Sequence, residues 1–226
     1  MEEMLDKFKV NSNVTYEDVG GMAETVKTLR EIIEWPIKHS TIFEWLGVSP
    51  PRGILISGPP GCGKTLLAMA VAGSNPEVAF YKINGPEIVT GISGQSEEKI
   101  RNFFKGVSEK APAIIFIDEL DSIAGKRENA AKELEVRIVA QLAACMDEMS
   151  HGEKQIIVIG CTSRPETIDS ALRRAGRFER EVSIGVPNEE SRIEIMRILT
   201  KKMRLRPDFE FSEIVKLTPG YVGADI

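Results

Sequence analysis

The sequence is poor in the residues that build metal clusters and disulfide frameworks. It has three cysteines, Cys62, Cys145 and Cys161, an odd number without metal-ligand spacing, and two histidines, His39 and His151, that add no cluster. Structural zinc is therefore not expected, and the free thiols suit a reducing compartment. Aromatic residues make up only 6% of the chain, and internal repeats and low-complexity tracts are missing. No apolar run approaches the roughly eighteen residues of a membrane span, so no membrane association is expected. The stretch from Met1 to Val10 is acidic and mixed, unlike a secretory signal or a transit peptide. A formal net charge of −5 argues against a broad nucleic-acid footprint, and no direct sequence-specific nucleic-acid binding is expected.

What is present is an ordinary globular composition, 42% hydrophobic and 28% charged over 226 residues. That length suits one large domain, or one domain and a smaller companion. After a polar lead-in ending at the Gly20-Gly21 turn, Val26, Leu29, Ile32 and Ile33 share the face of an amphipathic helix, which Pro36 is expected to break or end. Short apolar strands are then expected at Gly53–Ser57, Ala79–Ile83, Ala113–Ile117, Gln155–Gly160 and Glu181–Ile184. Helical patterns lie between them: one from near Gly63, one from Ser96 (a plausible N-cap) to Lys110, and one from Ala130 to Met149. The last carries a stripe of Leu134, Ile138, Leu142, Cys145 and Met149. Strands alternating with helices imply an α/β fold with a doubly wound, mostly parallel five-stranded sheet. After Pro187 the strand pattern stops, and helices over Glu189–Lys201 and Phe211–Leu217 read as the beginning of a small helical lid. Another helix is expected to start where the sequence stops at Ile226, just after Gly223-Ala224-Asp225. Two helices rarely bury a core alone, so the chain is expected to be a fragment of something longer. The expected division is a lead-in over 1–21, a large α/β unit over 22–186 and the start of the lid over 187–226.

The motif Gly58-Pro59-Pro60-Gly61-Cys62-Gly63-Lys64-Thr65 fits a phosphate-binding loop, with a strand before it and a helix after it. Its fixed positions would coincide by chance roughly once in a hundred chains this size at ordinary residue frequencies. The glycines let successive N–H groups turn toward phosphate oxygens, and the helix N-terminus adds partial positive charge there. This makes a P-loop NTPase fold the expectation, with Pro59, Pro60, Gly61, Cys62, Gly63, Lys64, Thr65 and Leu66 as the nucleotide-contacting run. Lys64 would reach the β- and γ-phosphates, and the Thr65 hydroxyl would ligate Mg²⁺. One strand–helix unit further on, Asp118 and Glu119 end an apolar strand at the sheet edge where such folds bind ligands. Asp118 would hold Mg²⁺ through its water shell, and Glu119 would polarise the attacking water as general base. Solvated acids at an ordinary strand end are the bland alternative.

With the residues below, these motifs resemble the AAA family of ATPases from Val14 to Ile226. The run Glu135-Val136-Arg137-Ile138-Val139-Ala140-Gln141-Leu142, with Cys145-Met146-Asp147, is similar to a nuclear branch of that family linked to large ribosomal subunit maturation. Asp18-Val19-Gly20-Gly21 looks like the family's adenine-side signature. The resemblance implies that Asp18 and Gly20 contact the adenine of ATP or ADP, that Ile195 and Leu199 form its apolar wall, and that Gly223 and Ala224 pack near sugar and base. For Ile195 and Leu199, spaced i and i+4, a helix core stripe is the competing reading. The resemblance also implies that Arg174 and Arg177 are fingers for a neighbouring subunit's γ-phosphate, in a homo-hexamer; a solvated basic loop is the alternative.

Ser163 departs from the family pattern, standing where an asparagine before Arg-Pro usually orients the attacking water and the γ-phosphate. Its shorter hydroxyl predicts slower turnover. The expected pore segment, Val89 to Gly94, carries Ile92 where many relatives present an aromatic residue; a plain strand–helix loop is the alternative. The resemblance thus implies Mg²⁺-dependent ATP hydrolysis by a ring that remodels a protein or pre-ribosomal client, in the nucleus or nucleolus. A slow-turnover module that mainly holds a ring together is the alternative. A small-molecule kinase or GTPase has no place for the double-glycine signature and the arginine loop.

Overall fold

In the computed structural model, residues 5–89, 95–124, 132–150, 155–206 and 208–226 are described. Helix α1 (Ala23–Leu29) runs into a π-helical stretch, Arg30–Glu34, and then α2 (Trp35–Lys38) and α3 (Ser40–Leu46). There follow β1 (Gly53–Ser57), α4 (Lys64–Ser74), β2 (Ala79–Asn84), α5 (Gly85–Val89), α6 (Gln95–Glu109), β3 (Ala113–Asp118), α7 (Asp121–Ala124), α8 (Lys132–Ser150), β4 (Ile156–Thr162) and β5 (Phe178–Ser183). Helices α9 (Glu189–Leu199) and α10 (Phe211–Leu217) complete the order.

Pro36 neither breaks nor ends its helix. A proline ring clashes with the carbonyl four residues back and removes an N–H, and here the wider π-helical turn precedes it, so the rod continues to Lys38. Ser96 lies inside α6, which begins at Gln95, rather than at its cap. The expected start of α8 at Ala130 falls outside the described residues. Strands β2 and β3 each run one residue past expectation, to Asn84 and Asp118, while β4 (Ile156–Thr162) and β5 (Phe178–Ser183) differ from expectation at both ends. Residues 222–225 form a turn, with Asp225 N donating to Val222 O at 2.9 Å.

The five strands form one all-parallel sheet in the order β2-β3-β4-β1-β5. Alternate residues serve two cores. Leu55, Ile115, Ile117 and Val158 face one layer with Phe103, Phe104, Ile138, Leu142 and Met146 of α6 and α8. Ile54, Ile56, Phe116 and Ile159 face the other with Leu67 and Val71 of α4 and Val26, Leu29 and Ile33. With both faces covered, β1 and β4 are buried along their whole length, as parallel strands require. The lead-in does structural work at the sheet edge. Lys9 bridges Tyr81 in antiparallel sense, Val10 N donates to Phe80 O at 2.9 Å, and Lys82 N donates to Phe8 O at 2.8 Å. Residues 8–10 therefore occupy hydrogen-bonding positions on the outer side of β2. No helix among the described residues is long and apolar enough to cross a membrane.

Candidate active site

Residues 58–63 link the carboxyl end of β1 to α4. Gly63 stands immediately before α4 at φ 87°, a left-handed geometry that costs residues with a side chain about 1–2 kcal/mol. The first amides of α4 have no partner within the helix and carry its positive dipole end. Lys64 folds back over the loop: Nζ donates to Gly58 O at 2.7 Å, to Pro59 O at 2.9 Å and to Ser163 Oγ at 2.9 Å. Pro59 and Pro60 have no N–H to offer a phosphate; Pro59 instead supplies a carbonyl that receives Lys64.

Parallel pairing of β3 with β4 and of β4 with β1 sets the tips of these three strands side by side. Thr65 Oγ1 donates to Asp118 Oδ2 at 2.9 Å, and Lys82 Nζ stands 3.5 Å from the same oxygen. Glu119 N donates to Asp118 Oδ1 at 3.1 Å. Glu119 has φ 51° and is the non-glycine residue with positive φ among the described residues. Such a conformation costs about 1–3 kcal/mol and persists only where neighbours impose it. Leu120 does so: it is fully buried, and its N–H donates to Cys161 O at 2.8 Å. The exposed Glu119 is thus held out of the sheet beside Asp118.

The hard oxygens of Thr65 and Asp118 fit a magnesium ion, which takes one or two carboxylate-type contacts and completes its shell with waters and phosphate oxygens. Among the described residues no three His, Cys, Asp or Glu side chains gather into an all-protein cage. The donor set therefore suits a metal that arrives with a polyphosphate.

Ser163 follows β4 and is stapled on both sides to Asp121. Thr162 Oγ1 donates to Asp121 Oδ1 at 3.0 Å, while Arg164 Nε and Nη2 donate to Oδ2 at 3.0 and 2.8 Å. Arg164 N also donates to Thr162 Oγ1 at 3.0 Å. Burial opposes ionisation of Asp121, but the hydrogen bonds from Arg164 and Thr162 outweigh it and hold the carboxyl below its ordinary value. Sequence reasoning missed this pair; the Asp121 and Arg164 carboxylate–guanidinium match is visible only once β3 and β4 are adjacent.

A cavity of about 370 Å³ opens beside the loop. It is lined by Gly61, Cys62, Gly63, Lys64, Thr65 and Leu66, by Asp18 and Gly20 of the lead-in, and by Ile195, Leu199, Gly223 and Ala224. Val19, Met22 and Ile198 also line it and were not anticipated; Val19 lies between two anticipated residues, which was the available signal. Pro59 and Pro60 are not part of the lining. The buried residues of α9 are Arg192 and Met196, so Ile195 and Leu199 form a separate, cavity-facing stripe and not the core stripe. A Cβ on Gly20 would come within 2.8 Å of Ile195 N, so glycine lets the lead-in lie directly on α9. Gly21 N donates to Glu194 Oε2 at 2.8 Å, tying the lead-in to α9, and Ala224 N donates to Gly61 O at 3.1 Å, tying the segment after α10 to the loop.

The two anticipated finger arginines sit in different environments. Arg174 is exposed. Arg177 donates from Nε and Nη2 to the two carboxylate oxygens of Asp147, at 2.8 and 2.7 Å, and from Nη1 to Ala171 O. The Asp147 hydrogen bond raises its pKa above the ordinary guanidinium value. Arg173 pairs with Glu181. Ile92 and the rest of the segment from Thr90 to Gly94 lie outside the described residues.

Comparison with known proteins agrees with this geometry. The profile of the ATPase family associated with various cellular activities (AAA) matches residues 54–186. A cell division cycle protein 48 homolog from Archaeoglobus fulgidus is 51% identical over 214 residues, 95% of this chain and 29% of the relative. The nuclear valosin-containing protein-like protein of Mus musculus is 49% identical over 217 residues, 95% of this chain and 25% of the relative. An uncharacterized AAA domain-containing protein of Schizosaccharomyces pombe is 47% identical over 218 residues, 95% of this chain and 28% of the relative. The chain thus spans between 25 and 29% of the length of these relatives. With a loop and strand tips of nucleotide-binding type inside the matched region, the chain belongs to the AAA family of ATPases.

Proposed function

We propose that this domain binds ATP with Mg²⁺ and hydrolyses it within a hexameric ring of identical subunits that remodels or extracts a protein or ribonucleoprotein client. The observation that carries the reading is the meeting of Lys64, Thr65, Asp118 and Ser163 at one end of the sheet, with Glu119 projected beside them. Lys64 gives up its loop carbonyls to neutralise phosphate charge, aided by the amides at the start of α4. Glu119 accepts at its carboxylate the proton of the attacking water. Bound Mg²⁺ supplies charge neutralisation across phosphate oxygens. Asp18, Gly20, Ile195, Leu199, Gly223 and Ala224 take the base and sugar in the cavity they line. Arg174 and Arg177 serve a neighbouring subunit's γ-phosphate, and Arg177 must leave Asp147 to do so. The word "nuclear" in the name of the mouse relative supports a nuclear setting; a nucleolar site and large ribosomal subunit maturation as the process rest on the resemblance of the run from Glu135 to Leu142.

The test is steady-state ATP hydrolysis at rising protein concentration. Specific activity should climb as subunits assemble, and Arg177→Ala should abolish the climb. A specific activity that stays flat, also in a longer chain with a complete lid, would overturn the ring.

A second reading is favoured by the Ser163–Lys64 hydrogen bond and the Arg177–Asp147 pair, both of which hold reactive groups at rest. In it the domain turns over slowly and mainly holds the ring together. Single-turnover hydrolysis by Ser163→Asn should then exceed the parent by about threefold or more, the scale of one improved hydrogen bond; equal rates would remove this reading.

A further inference from the structure

Asp118 has a cationic neighbour besides any metal. Lys82 lies on β2 opposite Phe116 of β3, on the same sheet face as Asp118. Its Nζ stands 3.5 Å from Asp118 Oδ2 and 5.8 Å from the Phe116 ring centroid. The two side chains are 27% and 15% exposed, so the pair is partly withdrawn from solvent and only partly screened. The backbone beneath Lys82 is fastened by its N–H to Phe8 O at 2.8 Å and by strand pairing to β3. Lys64, the other lysine of the site, is committed to the loop carbonyls and Ser163.

The oxygen faced by Lys82 is also the one bonded by Thr65, so the same carboxylate edge serves both the ammonium and the place where the hard-oxygen donors meet. A polyphosphate brought near a bare carboxylate meets like charge, which a divalent cation relieves. A fixed ammonium relieves part of it in advance, and it lowers the further gain from the metal because both cations answer the same negative charge. From this arrangement we infer that Lys82 is a built-in counter-cation: it lets the site hold nucleotide without metal and limits how much Mg²⁺ tightens binding. The inference rests on the proposed Mg²⁺-dependent nucleotide reading and concerns a residue that reading leaves unused. Lys82 acts here as a positioning and charge-balancing residue, through Asp118.

The test measures the dissociation constant of a fluorescent ADP analogue in Mg²⁺ and in EDTA, for the parent chain, Lys82→Met, Lys82→Gln and Lys82→Arg. The quantity read is the ratio of the EDTA value to the Mg²⁺ value. Being internal to each protein, it is insensitive to partial loss of folded material. In Lys82→Met and Lys82→Gln the ratio should rise by about threefold or more, on the scale of a partly exposed ion pair, mainly through weaker binding in EDTA. Lys82→Arg should stay within about twofold of the parent. An unchanged ratio in both neutral variants, or an equal rise in Lys82→Arg, overturns the inference while leaving the nucleotide site intact. A ratio of one in the parent and in both neutral variants alike would remove the Mg²⁺ reading itself, and the inference with it.

Discussion

The two ends of the sheet differ in the opposite sense from what their cavities suggest. The amino end has the roomier hollow, about 610 Å³, walled by Pro36, Phe43, Val48, Pro50 and Pro51, with exposed Trp45 and Leu46 nearby. The carboxyl end has about 370 Å³ beside the loop, but there the backbone leaves its ordinary regions at Gly61, Gly63 and Glu119, and cation, hydroxyl and carboxylates converge. Parallel strands explain the asymmetry. All of them start at one end and finish at the other, so helix N-termini and the loops after β1, β3 and β4 collect at the finishing end. Volume marks where elements pack imperfectly; converging charge on a strained backbone marks where chemistry is built.

The most forceful way to break this comparison is to exchange the two ends as targets. Lys64→Ala should weaken nucleotide binding and slow hydrolysis by about a hundredfold or more, since a charge-assisted contact to phosphate is lost. Phe43→Ser at the roomier end should leave nucleotide affinity within about twofold, as expected for a change far from the phosphate contacts. Equilibrium binding of labelled ADP reads both, and comparable losses would end the division between the ends. Next in size, Glu119→Gln should cut the single-turnover rate by about a hundredfold or more while nucleotide affinity stays near the parent's, the expectation for a lost general base.

Two smaller effects sharpen the picture of what braces the working end. Asp121→Asn should lower stability at neutral pH by about 1–2 kcal/mol in urea unfolding, through the lost Arg164 and Thr162 bonds. Because the folded carboxyl titrates below its unfolded value, this contribution is complete above the usual aspartate range near about pH 4 and fades as pH falls through the folded value. Parent and variant should therefore converge in strong acid; a gap that widens there would contradict the assignment. Asp147→Asn should cost about 1 kcal/mol or less, discounted because Asp147 is about half exposed.

How much of this was legible beforehand follows from what is local in sequence. The phosphate loop and the acidic pair each occupy consecutive residues, and their strands and helices obey simple periods, so Lys64, Thr65, Asp118 and Glu119 could be named at once. The parallel sheet followed from the alternation of elements. Contacts between distant segments were not visible. Asp147 and Arg177 are thirty residues apart, Asp121 and Arg164 forty-three, and Lys82 meets Asp118 only through the register of β2 and β3. The π-helical passage before Pro36 was equally hidden, because a proline in a helical pattern announces an interruption and says nothing of how a neighbouring turn absorbs it.

The antiparallel stitch of residues 8–10 along β2 has a practical corollary for anyone trimming this protein. A chain begun at Asn11 would present a naked row of strand amides and carbonyls to its neighbours, an invitation to intermolecular ribbons. What looks like a dispensable leader is a selvedge that keeps the fabric from unravelling into its neighbours.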